Sequence, residues 1–316
     1  MNLRDIEIFE ASDVAAAAPY LDLVDTFRRA HRLPAAVCER IVYGPDARAE
    51  KFMALPAWQV DESIGIKLVT IFPDNPARGL PSVQAVVLLF DGETGAALAM
   101  IDGTELTYRK TAADSALGSQ LLSRTDVRTL LMVGAGGLSP HMIAAHRAVR
   151  PSIERVLIWN RRRAKSEALV ASGVADEVVT DLEAATAEAD VISTATMSKE
   201  PLIHGDWLRP GTHLDCVGAY LPDHREIDTT AVQRAELFVD SRLAAVEEGG
   251  DLVVPIASGD IDLAHIRADL FELCRGEHAG RSDPGAITLF ENGGGGHLDL
   301  MAAQHIWRSA RPRPIS

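Results

Sequence analysis

The chain has 316 residues, 47% of them hydrophobic and 24% charged, and a formal net charge of −14. That length suits two cores, or one large α/β unit with additions, and the composition is that of a folded globular protein rather than a disordered one. No Lys/Arg run exceeds Arg161-Arg162-Arg163, so the acidic balance argues against nucleic acid, which needs a basic surface to neutralise its phosphates.

At the N-terminus, Asp5 and Glu7 stand where a secretory signal is basic. Residues 15–18 are too short an apolar run for a signal core or a membrane span, so no targeting and no membrane partner are expected. Residues 1 to about 110 read as α+β. Apolar spacing predicts a helix over 14–30, and short strands are expected at 40–43, 52–55, 65–72, 82–90 and 96–101. Asp91-Gly92-Glu93-Thr94-Gly95 is a hairpin signal between the last two. A helix over 110–122 follows, and 123–128 suits a hinge.

From Thr129 the pattern changes to buried strands alternating with amphipathic helices, the mark of a parallel sheet covered on both faces. Six strands are expected, at 129–133, 155–159, 177–180, 190–194, 213–217 and 237–240, which fits one doubly wound sheet. The four glycines at 293–296 read as a local turn, because an apolar helical pattern resumes at Leu298.

Leu130-Leu131-Met132-Val133 runs into Gly134-Ala135-Gly136-Gly137-Leu138-Ser139, and a helical pattern follows. Strand, glycine turn and helix in that order are the context of a dinucleotide fingerprint. Gly134 allows the tight turn, Gly136 lets backbone approach a pyrophosphate, and Ser139 takes the third, small position. The next strand ends Trp159-Asn160-Arg161-Arg162-Arg163. A carboxylate there would bond a ribose 2′-hydroxyl; guanidinium groups instead suit a 2′-phosphate, so NADPH is expected over NADH.

Outside that region, strand alternation puts Lys67 on one face with Gly65, Val69 and Ile71, an expensive place for a charge without a partner. Facing a substrate carboxylate or moving a proton are the functional readings; a solvated edge lysine is the bland one. Arg109 and Lys110 begin a helix among hydroxyls, Arg40 sits in a short apolar strand, and Arg48 reads as solvent-facing. The isolated cysteines Cys38, Cys216 and Cys274 imply a reducing, cytoplasmic setting. His141 and His146 lack an acidic companion motif, so no metal is expected. His297 follows the glycine run, where a histidine is more often exposed than functional.

Several stretches together carry a family resemblance: Leu55-Pro56-Ala57-Trp58, Gly65-Ile66-Lys67-Leu68-Val69-Thr70-Ile71-Phe72-Pro73, Gly79-Leu80-Pro81, and Lys110-Thr111-Ala112-Ala113. Gly134-Ala135-Gly136, Trp159-Asn160-Arg161, Leu208-Arg209-Pro210-Gly211-Thr212-His213, Val217-Gly218-Ala219 and Ile287-Thr288-Leu289-Phe290 continue it. In order and over nearly the whole chain, they resemble the ornithine cyclodeaminase/mu-crystallin family. The resemblance implies a homodimer in which a Rossmann domain, residues 123–296, is inserted into an α+β substrate-binding and dimerisation domain, residues 1–122 plus 297–316. It also implies a catalytic and substrate-binding Lys67, with Arg40 and Lys110 on the substrate carboxylate. Cofactor contacts are expected at Thr111, Gly134, Gly136, Gly137, Leu138, Asn160, Arg161, Arg162, Thr194, Ala195 and Val217.

Three departures refine this. Lys110 stands where the family commonly has arginine, with Arg109 the other cation at hand. Residues 291–297 differ from the usual Lys-Ser-Val-Gly type of loop. Tyr220 stands where cyclodeaminases resemble one another in a catalytic Asp, and Pro222-Asp223 is similar to ketimine reductases. The resemblance therefore points first to Δ1-pyrroline-2-carboxylate and Δ1-piperideine-2-carboxylate reductases. An alanine-type dehydrogenase, an ornithine cyclodeaminase, and a non-catalytic ligand-binding protein are the alternatives.

Overall fold

The computed structural model describes residues 6–45, 47–219, 221–242 and 249–310. The chain divides into two compact units, one of residues up to Lys110 with those from Gly295 onward, the other Thr111–Gly294.

In the first unit, β1 (Glu7–Phe9), α1 (Ala11–Ala17) and α2 (Tyr20–Ala30) precede β2 (Val37–Cys38), β3 (Ile41–Tyr43), β4 (Lys51–Gln59), β5 (Ser63–Ile71), β6 (Val83–Asp91) and β7 (Ala97–Asp102). The single helix expected over 14–30 is two, broken at Pro19, which lacks an N–H and pushes its predecessor out of the helical region. The sheet runs β1-β7-β6-β5-β4-β2, with β3 also pairing β4. It is antiparallel except for β1, which lies parallel to β7 and went unread in the sequence because three residues carry no period.

The helix expected from Lys110 begins earlier, as α3 (Gly103–Leu122), with the Asp102 carboxylate accepting the Glu105 N–H at 2.7 Å in the manner of an N-cap. The division between units falls inside this helix, between Lys110 and Thr111, and again between Gly294 and Gly295, instead of at 122/123 and 296/297. A boundary placed where the periodicity ends misses it, because one unbroken helix belongs to both units.

The second unit holds β8 (Thr129–Val133), α4 (Ser139–Val149), β9 (Arg155–Trp159), α5 (Arg163–Ala171), β10 (Glu177–Val178), α6 (Leu182–Glu188), β11 (Val191–Thr194) and β12 (His213–Cys216). After them come α7 (Thr229–Arg234), β13 (Glu236–Val239), α8 (Gly250–Ser258), β14 (Ile266–Asp269), α9 (Leu270–Arg275) and β15 (Thr288–Glu291). All pairings are parallel, in the order β10-β9-β8-β11-β12-β15-β13-β14. This is the expected Rossmann-type α/β sheet, with eight strands rather than six. The two unread strands are β14 and β15, each four residues long; β15 comes last in sequence yet lies between β12 and β13. Leu131, Val133, Leu157, Ile192, Leu214, Leu237 and Leu289 from successive strands build one core.

The last helix, α10 (Gly296–Ser309), belongs to the first unit and packs on β5. Gly65 permits that approach, since a Cβ there would lie 2.9 Å from Leu300 Cδ1. No described helix is long and apolar enough to cross a membrane.

Candidate active site

Strand β5 alternates as its sequence requires, with Ser63, Gly65, Lys67 and Val69 buried and the residues between them half-buried. Lys67 therefore points into the protein, 6% exposed, and its partner comes from α10. Its Nζ lies 3.0 Å from Asp299 Oδ1 and 2.9 Å from Oδ2. Lys110 Nζ, also buried, is 3.6 Å from Asp299 Oδ1. One buried carboxylate thus faces two buried ammonium groups, leaving an excess of positive charge.

Burial pulls the Lys67 pKa down to about 8; Asp299 pushes back, and the charges of Lys110 and Arg40 add to the depression. For Asp299, burial works to raise the pKa, but the ammoniums of Lys110 and Lys67 outweigh it and hold the carboxyl below its ordinary value. The second oxygen of Asp299 meets Lys67 as an ion pair without hydrogen-bond geometry, so it retains accepting capacity.

Arg40 precedes β3 instead of lying in it, and is half-buried. Arg109 is committed elsewhere: it pairs with Glu105 at 2.6 Å, donates to the Ala18 carbonyl at 3.0 Å and stacks over the Tyr20 ring. It is an anchor for the preceding helices, and does not replace Lys110 beside Asp299. His297 is buried in the first turn of α10, against the expectation of an exposed turn residue, and burial with the nearby His31 and Lys110 charges holds its pKa down to about 3. It is a neutral imidazole, edge-on to His31 at 6.0 Å between ring centroids.

In the second unit, the glycine turn follows β8 directly. Gly134 has φ +117°, and a Cβ there would lie 2.6 Å from the Ala195 carbonyl oxygen, so both conformation and space demand glycine. At Gly136 a Cβ would meet open space, leaving room for a ligand against the backbone. Ser139 closes the turn: its buried Oγ accepts the Gly136 N–H at 3.1 Å and donates to the Gly134 carbonyl at 3.0 Å. Gly137 is exposed, and Leu138 is the N-cap residue of α4.

Above this turn lies a cleft of about 310 Å³, lined by Gly134, Ala135, Gly136, Trp159, Asn160, Arg161, Arg162, Lys165 and residues 195–198 with Leu202. Arg161 and Arg162 are exposed along it, while Arg163 pairs with Glu167 on the surface of α5. Lys165 is a third cation on the cleft and was not expected from the sequence; within the first turn of α5, it carries no motif signal. Thr194 ends β11 and Val217 follows the end of the adjacent β12, next to the Ala195 segment, and Thr111 offers its carbonyl to Asn292 at 3.2 Å. The Tyr220 position lies outside the described residues.

Beneath the sheet ends sits an unforeseen group of buried acids. Asp251 is raised to about 7 by burial and the Glu226 charge, and burial pushes Glu291 and Glu226 up as well. Asp251, Glu291 and the Cys216 thiol bring ligand-competent atoms within 4.8 Å of one another. His146 is bonded at 3.0 Å to Asp215, which also accepts the Ser193 hydroxyl at 2.8 Å.

A strand, glycine turn and helix heading a doubly wound parallel sheet, with a cation-lined cleft at the strand ends, define a dinucleotide-binding protein of the Rossmann class. Its other unit adds a buried Lys-Asp-Lys cluster. The sequence profile of the ornithine cyclodeaminase/mu-crystallin family matches residues 7–313, and the chain belongs to that family. It is 42% identical over 300 residues to a Δ1-pyrroline-2-carboxylate reductase of Paracoccus denitrificans, covering 94% of each chain. Its fold is similar to that of the Thermococcus litoralis Δ1-pyrroline-2-carboxylate reductase solved with NADH and L-proline, with a TM-score of 0.90 and 30% identity over 96% of this chain and 97% of that one. An archaeal alanine dehydrogenase dimer with bound NAD matches with a TM-score of 0.88 and 26% identity, covering 96% of each chain.

Proposed function

We propose that this chain reduces a cyclic 2-imino acid, Δ1-pyrroline-2-carboxylate and/or Δ1-piperideine-2-carboxylate, to L-proline or L-pipecolate, with NADPH preferred over NADH. The observation that carries the reaction is the near full-length identity to a reductase of that name, in a chain with a buried excess of cations around Lys67. No comparable observation favours the dehydrogenase, cyclodeaminase or non-catalytic readings.

The residues of the cleft suit a dinucleotide: open space at Gly136, a glycine-only turn at Gly134, and Arg161, Arg162 and Lys165 for phosphate. The absence of a carboxylate at the end of β9, with two arginines in its place, supports NADPH. When bound, the nicotinamide supplies the hydride that the imine carbon receives. Thr194, Ala195 and Val217, with the glycine turn, Leu138, Asn160 and Thr111, are the proposed cofactor contacts.

In the first unit, Arg40, Lys67 and Lys110 hold the substrate carboxylate. Asp299 keeps the two lysines from repelling each other out of position and offsets part of the charge that a protonated imine would otherwise meet. Lys67, with its pKa near 8, is suited to give its proton to the imine nitrogen; the nitrogen gains that proton, the carbon gains the hydride, and the C=N bond becomes C–N. Holding the carboxylate in a dry, cationic pocket orients the reacting carbon, which is the larger part of the expected acceleration.

A homodimer is proposed from the uncovered face of the first unit's sheet. Ile8, Met100, Leu88 and Ile66 lie in register across four strands there; Ile8 is 64% and Met100 37% exposed, and Trp58 nearby is 50% exposed. An apolar sheet face of this kind suits a second copy of the chain. The free thiols of Cys38, Cys216 and Cys274 support a cytoplasmic setting.

The deciding experiment is an NADPH-oxidation screen over pyrroline-2-carboxylate, piperideine-2-carboxylate, their linear analogues, and pyruvate with ammonia. Turnover confined to the cyclic imines is the expected result. Ammonia release from ornithine without net oxidation would sink the assignment.

A further inference from the structure

Glu226 lies beyond β12, fully buried in the second unit, and four donors converge on its carboxylate. Oε1 accepts the Thr196 N–H at 2.5 Å. Oε2 accepts the Thr194 hydroxyl at 2.7 Å, the Gly218 N–H at 2.6 Å and, more weakly, the Val217 N–H at 3.3 Å. Two of these donors belong to the segment leaving β11 and two to the segment leaving β12. The first segment continues into residues 195–198, one wall of the dinucleotide cleft, and its Ala195 carbonyl packs against Gly134.

The clamp is itself held. The Asp251 carboxylate accepts the backbone N–H groups of Glu226 and Ile227 at 2.9 and 3.1 Å, and the Glu226 carbonyl accepts those of Leu202 and Ile203. There is no slack between the two loops: a Cβ at Gly218 would fall 2.0 Å from the Thr196 carbonyl oxygen and 2.6 Å from Glu226 Oε1. We infer that Glu226 is a positioning residue for the dinucleotide cleft, whose carboxylate fixes the wall at residues 195–198 against the glycine turn. This rests on the reading of that cleft as the cofactor site.

An ionised carboxylate accepts at every lone pair and donates nothing, so it can satisfy all four donors. An amide cannot, because its NH2 would be forced against an N–H of one loop or the other, and buried donors left facing each other are costly. Burial pushes the Glu226 pKa up, opposed by the bonds from Thr194, Thr196 and Gly218. Asp251 on α8, Glu291 on β15, the Cys216 thiol on β12 and the Arg225 guanidinium are the other titratable or charged groups around it.

The test uses the full chain and two variants, Glu226→Gln and Gly218→Ala, with NADPH titrated by its fluorescence and kinetics run on piperideine-2-carboxylate. Both variants are expected to raise the NADPH Kd and KM about ten-fold or more. The KM for the imine and the kcat at saturating NADPH should stay within about two-fold of wild type, a split that a general loss of structure would not produce. Gly218→Ala reaches the same wall by steric means, so it carries the test if Glu226→Gln fails to fold. Wild-type NADPH affinity in a folded variant overturns the inference, as does a parallel loss of imine affinity and kcat. A wild-type chain that binds neither NADPH nor NADH overturns the reading of the cleft as well, which distinguishes the two failures.

Discussion

Asp299→Asn removes the carboxylate that Lys67 and Lys110 both face while keeping the side chain's shape. An opposite charge within about 4 to 6 Å raises a lysine pKa by about 1 to 3 units, and Asp299 is closer than that to both. Lys67, at about 8 in the intact protein, should therefore titrate between about 5 and 7 in the variant. At pH about 7.5 its ammonium fraction drops from roughly three quarters to about 3% for a pKa in the middle of that range, so kcat/KM should fall about 25-fold, and between about 3-fold and about 240-fold at its ends, if Lys67 supplies the proton. Acidification to about pH 6 should restore part of the loss.

Stability follows the same charge. Two buried ammoniums without their carboxylate cost about 3 to 5 kcal/mol, part of which is recovered when Lys67 gives up its proton. The folded pKa of Lys67 lies below its ordinary value of 10.5, so the native state binds fewer protons and stability rises with pH between about 8 and 10.5. In the variant that window opens at lower pH. Initial rates of NADPH oxidation and thermal melts, both taken from about pH 5.5 to 9.5, measure the two effects. An alkaline limb that stays near pH 8 in the variant would refute the reasoning, because Asp299 would then have no hold on the group that titrates.

Arg161→Ala should raise the NADPH KM by about ten- to a hundred-fold, the worth of a charge-assisted bond, and the NADH KM by far less; equal changes would remove the 2′-phosphate from the explanation. Asp251 binds a proton in the folded state up to about pH 7 but in the unfolded chain only near its ordinary 3.8, so it lowers stability as pH rises through that window. Asp251→Asn should flatten the fall in stability between about pH 4 and 7, by up to about 4 kcal/mol, less whatever proton Glu226 and Glu291 take up instead. A slope unchanged from wild type in paired melts would exclude Asp251 as its source. Met100→Asp should dissociate the proposed dimer, and a sedimentation profile identical to that of a dimeric wild type would place the interface elsewhere.

The local parts of this molecule were legible in its sequence because their causes are local. A run of four apolar residues into Gly134 specifies a strand and a tight turn, and the alternation around Lys67 puts that lysine on the apolar face of its strand, leaving open whether that face meets water or the interior. The arginines after Trp159 were equally plain, being part of one continuous segment with the strand they end. Short elements were not: β1, β14 and β15 have three or four residues, too few to show a period.

What only the tertiary structure decided is which distant groups meet. Asp299 is 232 residues from Lys67, and nothing in α10 as a sequence marks its first-turn acid as the counter-charge of a strand lysine. Arg109 and Lys110 are neighbours in sequence with opposite fates, since adjacent helix residues point about 100° apart and only Lys110 turns toward Asp299. His297 follows a glycine run and Glu226 lies beyond β12, and their burial comes from segments that close over them from elsewhere in the chain. Periodicity and turn chemistry act over a few residues, so the sequence by itself determined the longer strands, the glycine turn and the face of β5 that carries Lys67. Burial and charge pairing depend on distances that folding alone sets: burial lowers the Lys67 pKa, and the pairing with Asp299 keeps it from falling below about 8.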